Sequence, residues 1–516
     1  MVCAFLMMGS VAKAQLRADV LIRGGRVVDG TGARERVADV AITGDRITFV
    51  GDAAGAGIDA RRTIDAKGLI VAPGFIDPHT HTLEDLSSTD SSRRRNAPYL
   101  AQGVTTVLTG NDGGGPSDVG ASLTKLAKAG IGSNAALYVG FGSVRTAVLG
   151  MSAAEATAEQ ASQMARMVRK SMQDGALGMS AGLYYAPQSY ASTDEVIVAA
   201  LEVAPFGGVY DTHLRDESSY SIGLLSAIAE AIRIGREARV AVNISHIKAL
   251  GVDVWGKSDS AIALIRAARA AGQRVTADQY PYTASGSSVG ASLLPRWAEA
   301  GGRDSLKQRL SDPATRAKIV AEMRENLRRR GGAESLLITE RDARGLGGKR
   351  LSEIAATRKE GADAIGAAID IIVSGDASVA SFNMKDEDIT RFMKEEFTMT
   401  GSDGSDGHPR KYGTFARKYR IYVKERQVLS LPEFVHRSSQ LPAQTFGLKD
   451  RGVLARGAFA DVIVFDEATF ADRSTYEAPE RLATGVRFAL VNGELAIDRG
   501  EVTKALAGRP LRRDRD

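Results

Sequence analysis

The sequence predicts an α/β fold: a (β/α)8 barrel of the TIM type carrying a small β-sandwich domain that both chain ends build. Three observations predict it. The middle of the chain, about 71–430, alternates short apolar strands with helical segments. The two ends, 15–70 and 431–505, share a different texture, short alternating strands separated by Gly and Asp, as expected of one discontinuous β domain. Four of the six histidines fall where strands of the middle section end, and chemistry in such barrels sits at the strand C-termini.

Composition narrows the classes. At 516 residues the chain is long enough for one large and one smaller domain, and its 44% hydrophobic and 25% charged residues are those of a globular protein. The net charge of +5 comes from scattered Lys and Arg, with dense runs only at Arg93–Arg95, Arg328–Arg330 and Arg512-Arg513. No aromatic residues interleave with these runs, so they read as solvated faces and argue against nucleic acid as a partner. Residues 1–14 hold an apolar run, Val2 to Val11, followed by Ala12-Lys13-Ala14, which resembles a secretory signal peptide lacking its positive n-region. The expectation is a periplasmic or secreted protein, or a cytoplasmic one if the leader does not function. The run is too short to span a membrane. The single cysteine, Cys3, lies inside it, which leaves no disulfide or thiol chemistry for the remainder.

In chain order, Asp19–Arg23, Arg26–Gly30, Val37–Ile42 and Arg46–Val50 are the first alternating strands. Val71–Thr82 is an apolar strand that runs through Asp77 and ends in His79 and His81. Residues i and i+2 of a strand share a face, so both imidazoles can meet one ion, and imidazole suits zinc and similar divalent metals. The strand Val104–Thr109 leads into a glycine-rich turn, Gly110–Gly115, where Asp112 can approach a ligand closely. Met164, Met167, Val168 and Met172 recur at helical spacing over Glu155–Gln173, a packing stripe that stops at Gly175. Val209–His213, Val240–His246 and Val275–Tyr282 are strands separated by helices over Ile222–Arg236 and Ser260–Ala271. From about 291 to 357 the pattern loosens into charged helical and Gly-rich pieces, read as an insertion and lid over the barrel mouth. The alternation resumes with Ile369–Val373 and Phe397–Asp403, and Ala460–Asp466, Gly485–Gly493 and Glu494–Asp498 return to the β texture. His79, His81, His213 and His246, with Asp112 for charge balance and Asp403 as a base, form a candidate metal site.

Those residues also carry a resemblance. The matching stretches are Ala72–His81, Gly103–Val107, Gly175–Leu183 through Thr193, Thr212–Glu217, Ile244–Lys248, Asp278–Tyr282, Gly401–Gly404, His408–Thr414 and Gly447–Gly452. On them the chain resembles the amidohydrolase superfamily, and within it the N-acyl-D-amino-acid deacylase branch. The resemblance implies the barrel, a β domain from both ends, and hydrolysis of the linear amide of an N-acyl-D-amino acid with one or two zinc ions. Carried over by position, His79 and His81 resemble ligands of a first, often weaker metal site, and His213 and His246 ligands of the tightly held zinc. Asp403 resembles the acid that serves as general base and then proton donor. Lys248 and Arg410 resemble the cations that hold the carboxylate of a small-molecule substrate, assisted by Tyr282 and by a serine near Ser287.

Two positions depart from the branch. Asp112 stands in the Gly-Asn-Cys-Gly turn where the deacylases carry a zinc-binding Cys, and a carboxylate is a harder ligand than a thiolate. Phe141, in Val139–Arg145, stands where a His is typical. These departures leave room for a D-residue dipeptidase, for a cyclic amidase, and for a periplasmic binding protein without catalysis. His408 reads as structural within its loop, His436 as a helix-surface residue, and Tyr280 as lining of the barrel mouth. The D stereochemistry rests on the resemblance alone, and the oligomeric state is open.

Overall fold

The computed structural model describes residues 16–339, 344–358 and 363–513; the expected leader, 1–14, and residues 340–343 of the expected insertion lie outside them. Eight parallel strands form the centre: β1 (Phe75–Thr80), β2 (Val104–Thr109), β3 (Asn134–Leu137, extended by Val139–Gly140), β4 (Gly178–Gly182), β5 (Val209–His213), β6 (Ala241–Ile244), β7 (Val275–Gln279) and β8 (Thr398–Thr400). Each pairs in parallel with the next, from β1 to β8. The ring closes just past β8. Asp403 N donates to the His79 carbonyl at 2.9 Å, and the amides of His79 and Ser402 share Asp77 Oδ1 at 3.2 and 3.0 Å. These strands are buried nearly throughout, as expected where helices cover one face and the barrel core the other.

The outer helices follow from their apolar stripes. Ala158–Gln173 starts at a capping box between Thr157 and Gln160 and buries Met164, Val168 and Met172, so the Met stripe is packing. Leu224–Ala238 likewise turns Leu224, Ile228, Ala231 and Ile234 inward.

A nine-stranded sheet joins the two chain ends. Ile70–Pro73 runs antiparallel to Val462–Phe465, with Ile463 opposite Ala72, and the sheet continues into Leu16–Val27 on one side and Val486–Val491 on the other. Residues 431–446, by contrast, form two helices, Leu431–Ser438 and Gln440–Phe446, that pack near the barrel strands. The chain passes from the sheet into β1 through Gly74, where a Cβ would meet Thr105 Oγ1 at 2.1 Å, so the approach requires glycine.

Helices Val289–Leu293, Pro313–Arg329 and Ala364–Val373 share a separate apolar core that includes Leu293, Ile319, Met323, Ile365 and Ile369. The antiparallel strands Ala284–Ser288, Ser378–Phe382 and Leu336–Ile338 connect this unit to the pocket mouth.

Two basic runs are only in part the solvated faces that the sequence suggested: Arg328 and Arg512 are exposed, but Arg330 and Arg513 are not. Arg330 is 2% exposed. The tail strand Pro510–Leu511 pairs with Ala135 and Ala136 at the base of β3, and Arg513 donates to the carbonyls of Phe206 and Phe446 at 2.8 and 2.9 Å. A guanidinium has five donors, and carbonyls left over at segment ends satisfy them as well as water does. Among the described residues, no helix is long and apolar enough to cross a membrane.

Candidate metal centre and active site

His79, on β1, and His81, just past it, point to the same side, as the period of two requires. His213 ends β5, and His246 lies two residues past β6. Asp112, His246 and Asp403 sit on backbone with φ of +56°, +37° and +49°. Non-glycine residues in this region carry strain, and such strain collects at functional sites. The Asp112 turn is held from outside: Gln188 Nε2 donates to the Asp112 carbonyl at 2.9 Å, while Gln188 Oε1 accepts from Gly182 N at 2.7 Å.

Asp112 is the centre of the cluster. Its Oδ1 lies 3.5 Å from His79 Nε2 and 3.4 Å from His246 Nε2, and its Oδ2 lies 3.5 Å from His81 Nε2. Asp403 Oδ1 is 3.0 Å from His81 Nε2 and 3.6 Å from His79 Nε2. His213 Nδ1 and His246 Nε2 are 2.9 Å apart. Two donor groups result, each with its atoms within 4.8 Å of one another: His79, His81, Asp112 and Asp403, and Asp112, His213 and His246.

Electrostatics prepare the two carboxylates and His213 as ligands, while against burial the neighbouring carboxylates raise His79, His81 and His246. Burial alone would raise Asp112, but the imidazoles of His79 and His246 hold it well below the usual carboxylate range. Burial opposes ionisation of Asp403 too, and Arg410, whose Nη1 is 2.6 Å from Asp403 Oδ2, outweighs it and keeps the carboxyl ionised. Burial pulls His213 down to about 4, which leaves its ring neutral with a lone pair free.

Beneath the histidines lies a layer of buried polar side chains that the sequence reading did not single out. Asn243 Nδ2 donates to Asp211 Oδ1 and Asp278 Oδ2, both at 2.7 Å, and Asn111 Nδ2 donates to Asp211 Oδ2 at 3.0 Å. Asp278 Oδ1 accepts from His246 N at 2.9 Å, which fixes the turn carrying that ring. A signal existed: Asp77 and Asp211 each stand two residues before a histidine on a buried strand, hence on the same inward face. Glu217, also missed, accepts from Lys248 Nζ at 2.5 Å and lies 3.1 Å from His246 Nδ1 and 3.7 Å from His213 Nε2.

His81, Asn111, Asp112, His213, Glu217, His246 and Asp403 border one cavity of about 560 Å³, with Tyr185, Tyr220, Tyr280, Ser287, Lys248, Arg330 and Arg410 in its wall, while His79 is buried behind it. Lys248, expected to face substrate, is here paired with Glu217. Tyr282 is not among the lining residues: its hydroxyl donates to the Pro409 carbonyl at 3.4 Å and its ring packs against His408. Tyr280 takes the wall position, its hydroxyl buried without a protein partner. Phe141 is fully buried in the main core and does not line the cavity. His408 accepts from Arg410 N at Nδ1 and is 3.2 Å from the Ala284 carbonyl through Nε2. His436 is half-buried, with Nδ1 2.9 Å from the Gly30 carbonyl, so it ties its helix to the N-terminal segment.

Comparison with known proteins places this geometry in context. The family model described as "Amidohydrolase family" matches residues 62–383 and 388–497. The chain is 34% identical to a D-aminoacylase of Alcaligenes xylosoxydans xylosoxydans over 523 residues, 96% of this chain and 98% of that one. A solved D-aminoacylase, studied for its binuclear metal centre with one-metal activation and second-metal attenuation, superposes with a TM-score of 0.81 at 34% identity, over 96% of this chain and all of that one. An N-acyl-D-glutamate deacylase from Bordetella bronchiseptica, solved with zinc and a phosphonate mimic of the tetrahedral intermediate, gives 0.81 at 30% identity over the same shares.

Proposed function

Because the chain belongs to the amidohydrolase family, we propose that it is a metal-dependent hydrolase that cleaves the amide of N-acyl-D-amino acids to a carboxylate and a D-amino acid. The observation that carries this reading is the convergence of four histidines, Asp112 and Asp403, all but His79 bordering one cavity whose wall also holds Arg410 and Ser287.

The residues fit a divalent ion. Among the described residues, His79 Nδ1 and Nε2 and Asp112 Oδ1 are buried without hydrogen-bond partners, and buried polar atoms without partners are costly unless a ligand satisfies them. The nitrogen and carboxylate donors suit zinc. His79, His81 and Asp112 would hold one ion, and His213, His246 and Asp112 a second. Bound there, the metal supplies Lewis acidity for the scissile carbonyl and acidity for water.

Asp403 does the proton work. Its ionised carboxylate accepts a proton from water as the water oxygen bonds to the acyl carbon, and returns a proton to the amine nitrogen as the C–N bond breaks. Arg410 keeps that carboxylate charged between turnovers and offers its remaining donors to the substrate α-carboxylate, with Ser287 beside it. Tyr280 serves there in place of the expected Tyr282. Lys248, buried with Glu217, places a cation against the same wall and orients His246 through Nδ1 at 2.7 Å. The D configuration and the free α-carboxylate are supported by similarity to the two deacylases over nearly the whole chain. The apolar run before Ala12-Lys13-Ala14 supports export, which N-terminal sequencing of the protein recovered from cells tests.

The deciding experiment is a hydrolysis panel of N-acetyl-D- and N-acetyl-L-amino acids, with metal content measured by elemental mass spectrometry. Release of D-amino acids by metal-loaded protein, lost in Asp403→Asn without loss of metal, is the expected result. Turnover of the L series alone, or none by metal-loaded protein, would sink the reading.

A further inference from the structure

The cavity contains a cation that no carboxylate among the described residues neutralises. Arg330 follows the insertion helix Pro313–Arg329 and is 2% exposed while lining the cavity. Its Nε donates to the Ser292 carbonyl at 3.1 Å, and its Nη2 reaches only the Tyr184 hydroxyl, at 3.5 Å. Its Nη1 is buried with no hydrogen-bond partner among the described residues, and its guanidinium lies 5.7 Å from the Tyr220 ring. Two carboxylates of this region are already used. Asp216 accepts from the amides of Ser218, Ser221 and Gly223, and Glu299 pairs with Arg296 at 2.7 Å.

Other buried arginines are not left this way. Arg145 pairs with Glu195, Arg410 with Asp403 and Arg451 with Asp461, and Arg437 is held by the carbonyls of Met393, Glu395 and Lys394. Of the adjacent arginines, Arg328 is exposed and pairs with Asp253 and Glu325, and Arg329 is half-buried, bonded to Asn326 with its guanidinium 5.7 Å from the Tyr220 ring. Taking a guanidinium out of water without a counter-charge is unfavourable. A planar fork with an open edge is also the group best matched to a carboxylate.

The position of Arg330 is tied to the catalytic loops. Val252 N donates to the Arg329 carbonyl at 3.0 Å, so the loop that follows His246 and Lys248 holds this helix end in place. Arg330 reaches the cavity beside Tyr184, whose ring lies 5.6 Å from that of His213. Arg410 enters from the opposite group, beside Asp403 and 4.9 Å from the Tyr280 ring. The wall therefore offers two separate cationic positions, and one α-carboxylate occupies only one of them.

We propose that Arg330 forms a second anion subsite that selects N-acyl amino acids carrying a further carboxylate, in the side chain or in the acyl group. The proposal rests on the deacylase reading of the site. It goes beyond that reading in naming dianionic compounds as the preferred substrate class.

The test compares kcat/KM of the zinc-loaded enzyme for N-acetyl-D-alanine, N-acetyl-D-glutamate and N-succinyl-D-alanine, in wild type, Arg330→Met and Arg330→Lys. The expected result is a preference of about tenfold to a hundredfold for one of the two diacids, the gain of one charge-assisted contact. Arg330→Met abolishes it and Arg330→Lys keeps part of it. A preference for the glutamate assigns the subsite to the side chain, and a preference for the succinyl compound assigns it to the acyl group. Wild type favouring neither diacid over N-acetyl-D-alanine, or an unchanged preference in Arg330→Met, overturns the proposal while the deacylase reading stands. If none of the three is hydrolysed, that reading fails, and thermal shifts decide the subsite: wild type stabilised by glutarate but not by butyrate supports it, and equal shifts overturn it. This last comparison uses wild type alone, so it holds even if a variant does not fold. Melting of Arg330→Met at or above wild type agrees with loss of an unpaired charge, whereas a large loss of stability would assign Arg330 to structure and overturn the subsite.

Discussion

Replacing Lys418 with methionine should stabilise this protein, by an amount that depends on pH. Lys418 opens the π-helical stretch Lys418–Glu425, is fully buried, and has no hydrogen-bond partner for its Nζ among the described residues. Burial, and then the Arg437 guanidinium, push its ammonium down from 10.5 to about 7, against a smaller pull from Asp278. Between these two values the native state binds fewer protons than the unfolded chain, so native stability rises with pH across that window. At ~1.4 kcal/mol per pH unit, lysine in this position costs about 4 kcal/mol at pH 7 and about 1 kcal/mol at pH 9.5. An unfolding entropy of ~2 cal/mol/K per residue amounts to ~1 kcal/mol/K for a chain of this length. Lys418→Met should therefore melt about 4 °C above wild type at pH 7 and about 1 °C above it at pH 9.5. Differential scanning calorimetry of the two proteins in parallel measures the gap, and groups that titrate equally in both cancel. A gap that is the same at both pH values, or a variant that melts below wild type at pH 7, would refute the reasoning.

Asp112 is shared by both donor groups, so Asp112→Ala should lower metal content at both, with turnover falling at least ~100-fold; a variant that retains full metal by mass spectrometry would count against the assignment. Glu217→Gln leaves Lys248 buried without its carboxylate. It should cost about 3–5 kcal/mol in urea denaturation, and an unchanged midpoint would mean that Lys248 finds another partner. Deleting residues from 508 onward removes the tail strand and the Arg513 contacts, and at ~1 kcal/mol per hydrogen bond for about five bonds should lower the melting temperature by about 5 °C. An unchanged melting temperature would show that the tail does not support β3.

Much of the site was legible because strand geometry is local. His79 and His81 announce one face by spacing alone, and His213, His246 and Asp403 announce strand ends by the apolar runs before them. The barrel was legible for the same reason, since repeated strand and helix units leave few alternatives for burying both faces of a parallel sheet. Where a strand stops, that guidance stops too. Tyr280 and Tyr282 lie on either side of Pro281 just past β7, and the chain direction there, rather than alternation, sends the first to the cavity and the second to His408. The tail arginines read as solvated because no aromatic residues interleave with them, whereas their docking site on β3 lies more than 370 residues away in the chain.

The sequence by itself determined which residue types stand at the ends of which strands, and with them the fold class and the donors available to a metal. Periodicity and residue chemistry are properties of a few neighbouring positions, so a single chain displays them. Only the tertiary structure decided which charges are paired. Lys248 finds Glu217, Arg410 finds Asp403, and Arg330 finds no carboxylate among the described residues. Pairing depends on distances between segments far apart in the chain, and these exist only once the barrel has closed and the insertion has packed against its mouth.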